Sequence, residues 1–382
     1  MESYRIDRPV YVEIASVTVD SSSLRAVYRT DAPIFLPSGE LYIEYPGVTQ
    51  VTDDDIEQIL LATFLPMAAL SGPVTISFPF EARRKDYWRQ YLARFDQLHQ
   101  KMTWKQGGIL ERNEMEIPSY PNESRIGILF GGGVESMFGV SMLEALRPRL
   151  FALVGPSFMN NDHGRSSVKR ALEDRFEARF GLPIHRISTN ARSLFPTGDD
   201  SILNKFVTGA WFYFFLRPLL RDFGIDMLFK VSEYEEAANF TDFDLSLNPR
   251  FISKIADGPL FLPLLNAYSK MQMFEELSRT PYFDYIYSCL NNTSGRWCGA
   301  CSKCRRLAEY GRRLGIDTRR IELDPALPYL DESSPISRHY AVMMDTLSPV
   351  SIEQAKREEG LAGRVSPRSG RGPLSIIKRF LS

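Results

Sequence analysis

Outside one sixteen-residue stretch the chain has no cysteine: Cys289, Cys298, Cys301 and Cys304 are the complete set in 382 residues. If that cluster is spoken for, no thiol is left for catalysis. Histidine is also scarce. His99, His163, His185 and His339 are scattered along the chain, so no histidine-based metal centre is suggested. A basic excess is missing too, since 46 Lys and Arg face 47 Asp and Glu for a net charge of −1. A general nucleic-acid-binding surface needs such an excess, and none is expected. The N-terminus, M-E-S-Y-R-I-D-R, lacks the apolar run of a secretory leader. The nearest thing to a membrane span, 202–223, is interrupted by Asn204, Lys205, Arg217, Arg221 and Asp222, which makes it a buried core helix. No membrane span is expected, and a reducing cytoplasm is the expected compartment.

In such a compartment clustered cysteines bind metal rather than form disulfides. The segment S-C-L-N-N-T-S-G-R-W-C-G-A-C-S-K-C-R places two thiolates on one tight turn, a third on the next, and the fourth on a preceding loop. Zinc suits a tetrahedron of four sulfurs because its filled d shell opposes no geometry. An iron–sulfur cluster is the other user of four thiolates. A closed set of this kind is structural, with no open position for chemistry.

Apolar residues make up 44% of the chain, enough for a sizeable core, and the length allows two domains and a tail. Residues 1–122 read as a smaller, strand-rich α+β unit. Alternating segments at 10–14, 24–28 and 41–45 are expected strands. They are followed by a helix over 53–70 behind an acidic cap, a strand over 74–78 and a helix over 87–102. The stretch P-S-Y-P-N-E at 118–123 reads as a linker. From Arg125 strands alternate with helices, the signature of a parallel sheet. Strands are expected at 126–130, 150–154, 184–188 and 227–231, and helices at 135–146, 166–180 and 202–223, the last bent at Pro218. The expected class is therefore α/β, with the parallel-sheet domain over 123–330. Residues 331–382 form a polar extension, expected to be partly disordered, that ends in a short amphipathic run at 374–381.

At the end of the first parallel strand stands I-G-I-L-F-G-G-G-V-E-S-M. Gly131, Gly132 and Gly133 remove the Cβ atoms that would keep backbone N–H groups from an anion. The helix that follows aims its unpaired N–H groups at the same point, and Ser136 adds a hydroxyl. The arrangement suits a diphosphate. No lysine follows as in a Walker loop, and G-x-G-x-x-G is absent.

G-G-G-V-E-S resembles the S-G-G-x-D-S loop of the PP-loop ATP pyrophosphatases, and the C-x8-C-G-x-C-x-x-C-R segment resembles the zinc site of their 7-cyano-7-deazaguanine synthase branch. The order of parts between them is similar. It runs through a polar loop at Asp162, His163 and Arg165, then Leu203-Asn204-Lys205 at a helix entry and Ser232-Glu233-Tyr234-Glu235-Glu236 after the fourth strand. A P-L segment at 263–264 with Lys270 and the S-C of Ser288-Cys289 complete it. The resemblance covers about 125–316. Two departures are Gly131 in place of the loop's serine and Glu135 in place of its aspartate. A strand-rich N-terminal unit before such a loop is also similar to the UDP-N-acetylmuramoyl-L-alanyl-L-glutamate epimerase family.

The resemblance implies a HUP-like (adenine nucleotide alpha hydrolase-like) domain with a four-cysteine zinc subdomain. It also implies ATP, Mg2+ and Zn2+ as cofactors. ATP would lie on Gly131, Gly132, Gly133, Val134 and Ser136, with Glu233 at its edge, Glu135 near magnesium, and Lys270, with Lys205 as a second candidate, stabilising the departing diphosphate. The implied reaction is adenylation of a carboxylate or carbonyl of a small acid or heterocycle. The alternatives are a carboxylate-activating epimerase of a cell-wall nucleotide precursor, a modifier of a partner protein docked on residues 1–122, and a non-catalytic nucleotide-binding module. Four metal-bound thiolates would rule out persulfide chemistry, and no cysteine near residue 1 could serve a glutamine-hydrolysing domain.

Overall fold

The computed structural model of the chain describes residues 4–113 (except 7, 48, 94 and 96), 125–155, 163–195, 203, 207–231, 258–264, 268, 270–289 and 295–328. The linker expected at 118–123 and the C-terminal extension lie outside these residues, as do Asp162, Asn204, Lys205, Ser232–Glu236 and Ser269.

Strand β1 (Val10–Val19) buries Val10, Val12 and Ile14, then Val17 and Val19. The apolar phase slips by one residue because the register with β2 (Ser23–Thr30) shifts between Ile14 and Ser16. Such an extra residue keeps the same face of the sheet apolar on both sides of the irregularity. The neighbour on the other edge changes at the same place. Residues 10–13 pair in parallel with β4 (Val74–Phe78), and 16–19 with β6 (Ile109–Arg112). Strand β5 (Met102–Gln106) lies beside β4 and crosses to β6 through Gly107 and Gly108. Gly108 has φ +101, and a Cβ there would come within 2.4 Å of the Ile14 carbonyl oxygen, so only glycine makes the crossing. β3 (Ser38–Glu44) pairs antiparallel with β2.

Helix α1 (Asp53–Ser71) opens with a capping box: the Thr52 side chain accepts from Asp55 N, and the Asp55 carboxylate accepts from Thr52 N at 2.9 Å. It is buried along nearly its whole length, as expected of a helix without a polar face. Its few polar side chains are used. Glu57 accepts from the backbone N–H groups of Arg83 and Arg84 at 2.8 and 2.7 Å, and Gln58 accepts from Trp88 Nε1 at 3.1 Å. These bonds dock α2 (Lys85–Leu92).

The second half supplies β7 (Ile126–Leu129), α3 (Val134–Leu143), β8 (Arg149–Val154), α4 (His163–Phe180) and β9 (Ile184–Thr189). It continues with α5 (Thr208–Phe214), α6 (Arg217–Asp222), β10 (Met227–Val231), β11 (Leu260–Leu264), α7 (Lys270–Ser278) and α8 (Ser302–Leu314). Its five strands are parallel, in the order β11-β10-β7-β8-β9. The sheet does not stop there. β9 pairs antiparallel with β3, through Ile43↔Thr189 and Glu44↔Ser188. Asn190 reinforces the joint, accepting from Tyr42 N at 2.9 Å and donating to the Glu40 carbonyl at 2.7 Å. One sheet thus runs from β5 to β11, mostly parallel, and the class is α/β.

Alternation along β8 shows how this sheet is covered. Phe151 and Leu153 enter one core with α1, α2, α5 and α6, while Leu150 and Ala152 enter another with α3, α4, α7 and α8. Among the described residues only one face of the N-terminal half is covered, and β2 alternates buried Leu24, Ala26 and Tyr28 with exposed Arg25, Val27 and Arg29.

Two expected helices differ. In place of one helix over 202–223 there are α5 and α6. Pro218 falls in the first turn of α6, where its missing N–H costs nothing, whereas inside a continuous helix it would break a hydrogen bond. The helix expected over 87–102 ends at Leu92, and turns from Leu92 to Leu98 follow. The chain is extended again by Met102 to pair with β4. The apolar residues of that stretch, Trp88, Tyr91, Leu92, Phe95 and Leu98, are all buried as their spacing requires.

Candidate phosphate loop and metal centre

The strand order reverses at β7. The chain moves from β7 to β8 and β9 on one side, then returns to β10 and β11 on the other. In open α/β sheets the crevice for ligands lies at the carboxyl ends of the strands flanking such a reversal. The glycine run leaves β7 at that point. Gly131 is exposed, and among the described residues beyond its chain neighbours none comes within 4 Å of where its Cβ would be. Gly132 has φ +74, a conformation that favours glycine. Gly133 is the N-cap of α3, extended, with no side chain to cap the helix. The carbonyls of the loop are engaged: Gly132 O accepts from Tyr287 N at 2.6 Å, and Gly133 O from Ser136 Oγ at 3.2 Å. Val134 and Ser136 are buried beneath the turn.

Glu135, in the first turn of α3, is ion-paired with Lys270, the first residue of α7. Lys270 is 8% exposed, while the Glu135 side chain keeps 26% of its surface. Burial alone would raise the Glu135 pKa. The Lys270 ammonium, helped by Lys303, overrides that and holds the carboxyl at about 2. The carboxylate folds back so closely that a Cβ at Gly133 would sit 3.2 Å from Glu135 Oε2. Burial and the Lys270 charge lower the Lys303 pKa, and Glu135 opposes them. Lys270 pairs with Glu135 at the mouth of the loop, and the charge of Lys303 acts on the same carboxylate.

On the other side of Gly132 lies Lys169 of α4, 4% exposed, with Nζ 3.3 Å from Glu173. Arg186 of β9 holds the second oxygen of Glu173 at 2.8 Å. Gly132, Met137, Lys169, Glu173, Tyr285 and Tyr287 line a narrow cleft there. Lys169 and Lys303 are absent from the sequence expectations. The Lys169–Glu173 spacing of four on a helix was the available signal for one, and the position of Lys303 inside C-x-x-C for the other. Lys205, the second candidate for the diphosphate cation, and Glu233, expected at the nucleotide's edge, lie outside the described residues.

The four cysteines come together: their sulfurs all lie within 4.8 Å of one another. None is in a disulfide. Gly299, with φ +68, makes the turn between Cys298 and Cys301; Cys301 is the N-cap of α8 and Cys304 lies in its first turn. Cys304 Sγ is 3.4 Å from Cys301 Sγ and 3.9 Å from Cys298 Sγ. Sulfurs at about 2.3 Å from one zinc ion would be about 3.8 Å apart at tetrahedral angles, so the set fits a single ion. Backbone N–H groups orient the sulfurs, Cys298 N donating to Cys289 Sγ and Cys301 N to Cys298 Sγ, each at 3.3 Å. Hydrogen bonds from Cys289 and Cys301, then burial, push the Cys304 thiol far up, and a bound cation reverses that preference by taking the thiolates.

The lobe around the cysteines is fastened to the glycine loop. Buried Arg296 donates to the Ile286 carbonyl at 2.8 and 3.1 Å and to the Asp284 carbonyl at 2.6 Å. The indole of Trp297 donates to Ile321 O and stacks on Tyr287. Tyr287 is the residue that donates to Gly132, and two residues later the chain reaches Cys289. Among the described residues, no helix is long and apolar enough to cross a membrane. No protein-family model and no curated protein matches the sequence.

Proposed function

We propose that the chain binds ATP at the glycine loop and uses it to adenylate a carboxylate or carbonyl oxygen of a small acid or heterocycle, as PP-loop ATP pyrophosphatases do. The observation that carries this reading is the meeting of Lys270 with Glu135 at the uncapped start of α3. Lysine and loop are far apart in sequence, and the fold joins them at the point where the sheet order reverses. The strand order around β7 supports the HUP-like assignment.

In this reading the β,γ-diphosphate lies on Gly131–Gly133 and the first N–H groups of α3. The substrate oxygen attacks the α-phosphorus. The bond from that phosphorus to the bridging oxygen breaks, and its electron pair leaves with the diphosphate. Lys270 exchanges Glu135 for the departing group, where a buried cation stabilises charge far better than water does. Glu135, once released, would be the side chain to hold magnesium, whose charge would neutralise the diphosphate. An ion held by the four cysteines would have no open position and would serve structure only.

A second reading keeps the chemistry and enlarges the acid, as in the epimerases of cell-wall nucleotide precursors. The open sheet face of the N-terminal half, with Arg25 and Arg29 on it, favours a platform for a substrate or partner larger than a free metabolite.

The test is AMP and diphosphate release from Mg·ATP across a panel of carboxylic acids, with Lys270→Met expected to lower the rate about 10²–10³-fold. Binding of ATP with no AMP formed from any acid would replace the enzyme with a nucleotide-binding module.

A further inference from the structure

We propose that Lys169 of α4 is a second phosphate-binding cation of the glycine loop, which exchanges Glu173 for a nucleotide phosphate while Arg186 keeps Glu173. This inference rests on the nucleotide reading above and adds a residue to it.

The core-facing stripe of α4 is not wholly apolar. Lys169, Leu172, Glu173 and Phe176 stand at i, i+3, i+4 and i+7, and all four are buried. A lysine and a glutamate thus fill places where apolar side chains would serve. A buried ion pair adds little stability over apolar residues of similar volume, so packing alone does not account for this one. Its position gives it another use. Lys169 Cε lies 4.0 Å from the Cβ position of Gly132, so the end of the lysine stem packs against the loop. Gly132, Lys169 and Glu173 line the same cleft.

Glu173 holds the two cations unequally. Lys169 Nζ and Glu173 Oε1 are 3.3 Å apart, and among the described residues that oxygen accepts no hydrogen bond. A charge-assisted N–H···O bond is shorter, at about 2.7–2.9 Å. The other oxygen is taken by Arg186, through Nε at 3.0 Å and Nη2 at 2.8 Å. A guanidinium fork fixes a carboxylate, whereas an ammonium on a flexible stem can change partners. When Lys169 turns to the loop, Arg186 still neutralises Glu173, so no buried carboxylate is stranded. The loop is then met from two helices: by Lys169 of α4 at Gly132, and by Lys270 of α7 at Glu135.

A rival role for Lys169 is to neutralise Glu173 and nothing more. The two roles separate by experiment on the full chain. The probe is the magnesium complex of α,β-methylene ATP, with binding followed by calorimetry and stability by urea unfolding. Lys169→Met is expected to bind the analogue about 10–100-fold more weakly, the range for one lost hydrogen bond to a charged group. Lys169→Met combined with Glu173→Gln is expected to regain stability but not affinity. If the double variant regains the affinity as well, or if Lys169→Met binds the analogue unchanged, the lysine serves Glu173 alone and the inference is overturned. In the unsubstituted chain the analogue is expected to slow reductive methylation of Lys169, read by mass spectrometry, and to leave that of exposed Lys105 unchanged. If the variants do not fold, this measurement decides: analogue bound with Lys169 methylated at the same rate overturns the inference. If the unsubstituted chain binds no analogue, the nucleotide reading itself has failed.

Discussion

Helices α1 and α3 begin in opposite ways. The start of α1 is filled by the protein itself. Thr52 and Asp55 cap it reciprocally, Asp54 binds Arg217 at 2.6 Å and Arg84 at 3.0 Å, and Asp55 binds Arg221 at 2.9 Å. The start of α3 has a glycine cap with no side chain to close it and, among the described residues, open space beside Gly131 and the Glu135–Lys270 pair. Arginine forks suit fixed pairing with carboxylates; lysine is a compact charge on a flexible stem that can change partners. The first cluster clamps α1 to α6, while the second stands at a helix start that no side chain caps.

The largest effect expected from breaking this contrast comes from metal. Stripping the ion from the four cysteines with a strong chelator should unfold the lobe around 281–328, because structural zinc binding contributes about 10–16 kcal/mol to the folding of such sites. Limited proteolysis should then cut within that lobe and leave α1 and its strands protected. Next is Arg217→Met, which strands Asp54 and Asp55 in the interior. It should cost about 3–5 kcal/mol in urea unfolding while leaving nucleotide affinity of the folded fraction unchanged. Lys270→Met should show the reverse balance, about 1–3 kcal/mol of stability against most of the nucleotide affinity. A stability loss as large as that of Arg217→Met, with affinity intact, would make the two clusters alike.

Acid titration sharpens the comparison further. The Glu135 carboxyl is held at about 2, below its usual 4.5, so its stabilising contribution is complete above about pH 4.5 and is lost as pH falls toward 2. Glu135→Gln should flatten that part of the acid-denaturation curve. Asp54, lowered chiefly by Arg217 against the opposing effect of burial, acts with the same sign in the other cluster. The smallest effect belongs to Gly131→Ser, expected to change stability by less than about 0.5 kcal/mol because nothing occupies the space it enters.

Local signals in the sequence were legible where one element's own residues decide its fate. The alternation of β1, the cap of α1 and the cysteine spacing all correspond to structure. Signals that depend on distant partners were not. Strand β5 reads M-T-W-K-Q and is mostly exposed, and it is a strand because β4 offers an edge. The β3–β9 joint rests on two residue pairs that no local pattern marks. Pro218 could signal a bend or a new helix, and the chain chose the latter. The glycine loop was visible in the sequence, but its flanking Lys169 and Lys303 were not, since each lies on a helix whose placement needs the whole sheet.

Backbone pairing carried from β5 to β11 joins the two halves in one sheet, so a hinge between them would have to break the β3–β9 pairing. Proteins built as two lobes can clamp ligands of different length by closing to different angles. Here, while that pairing holds, the spacing from the N-terminal face to Gly131 follows the strand order like marks on a ruler. Accommodating a longer ligand would require reshaping what stands at the strand ends, because the ruler itself does not bend.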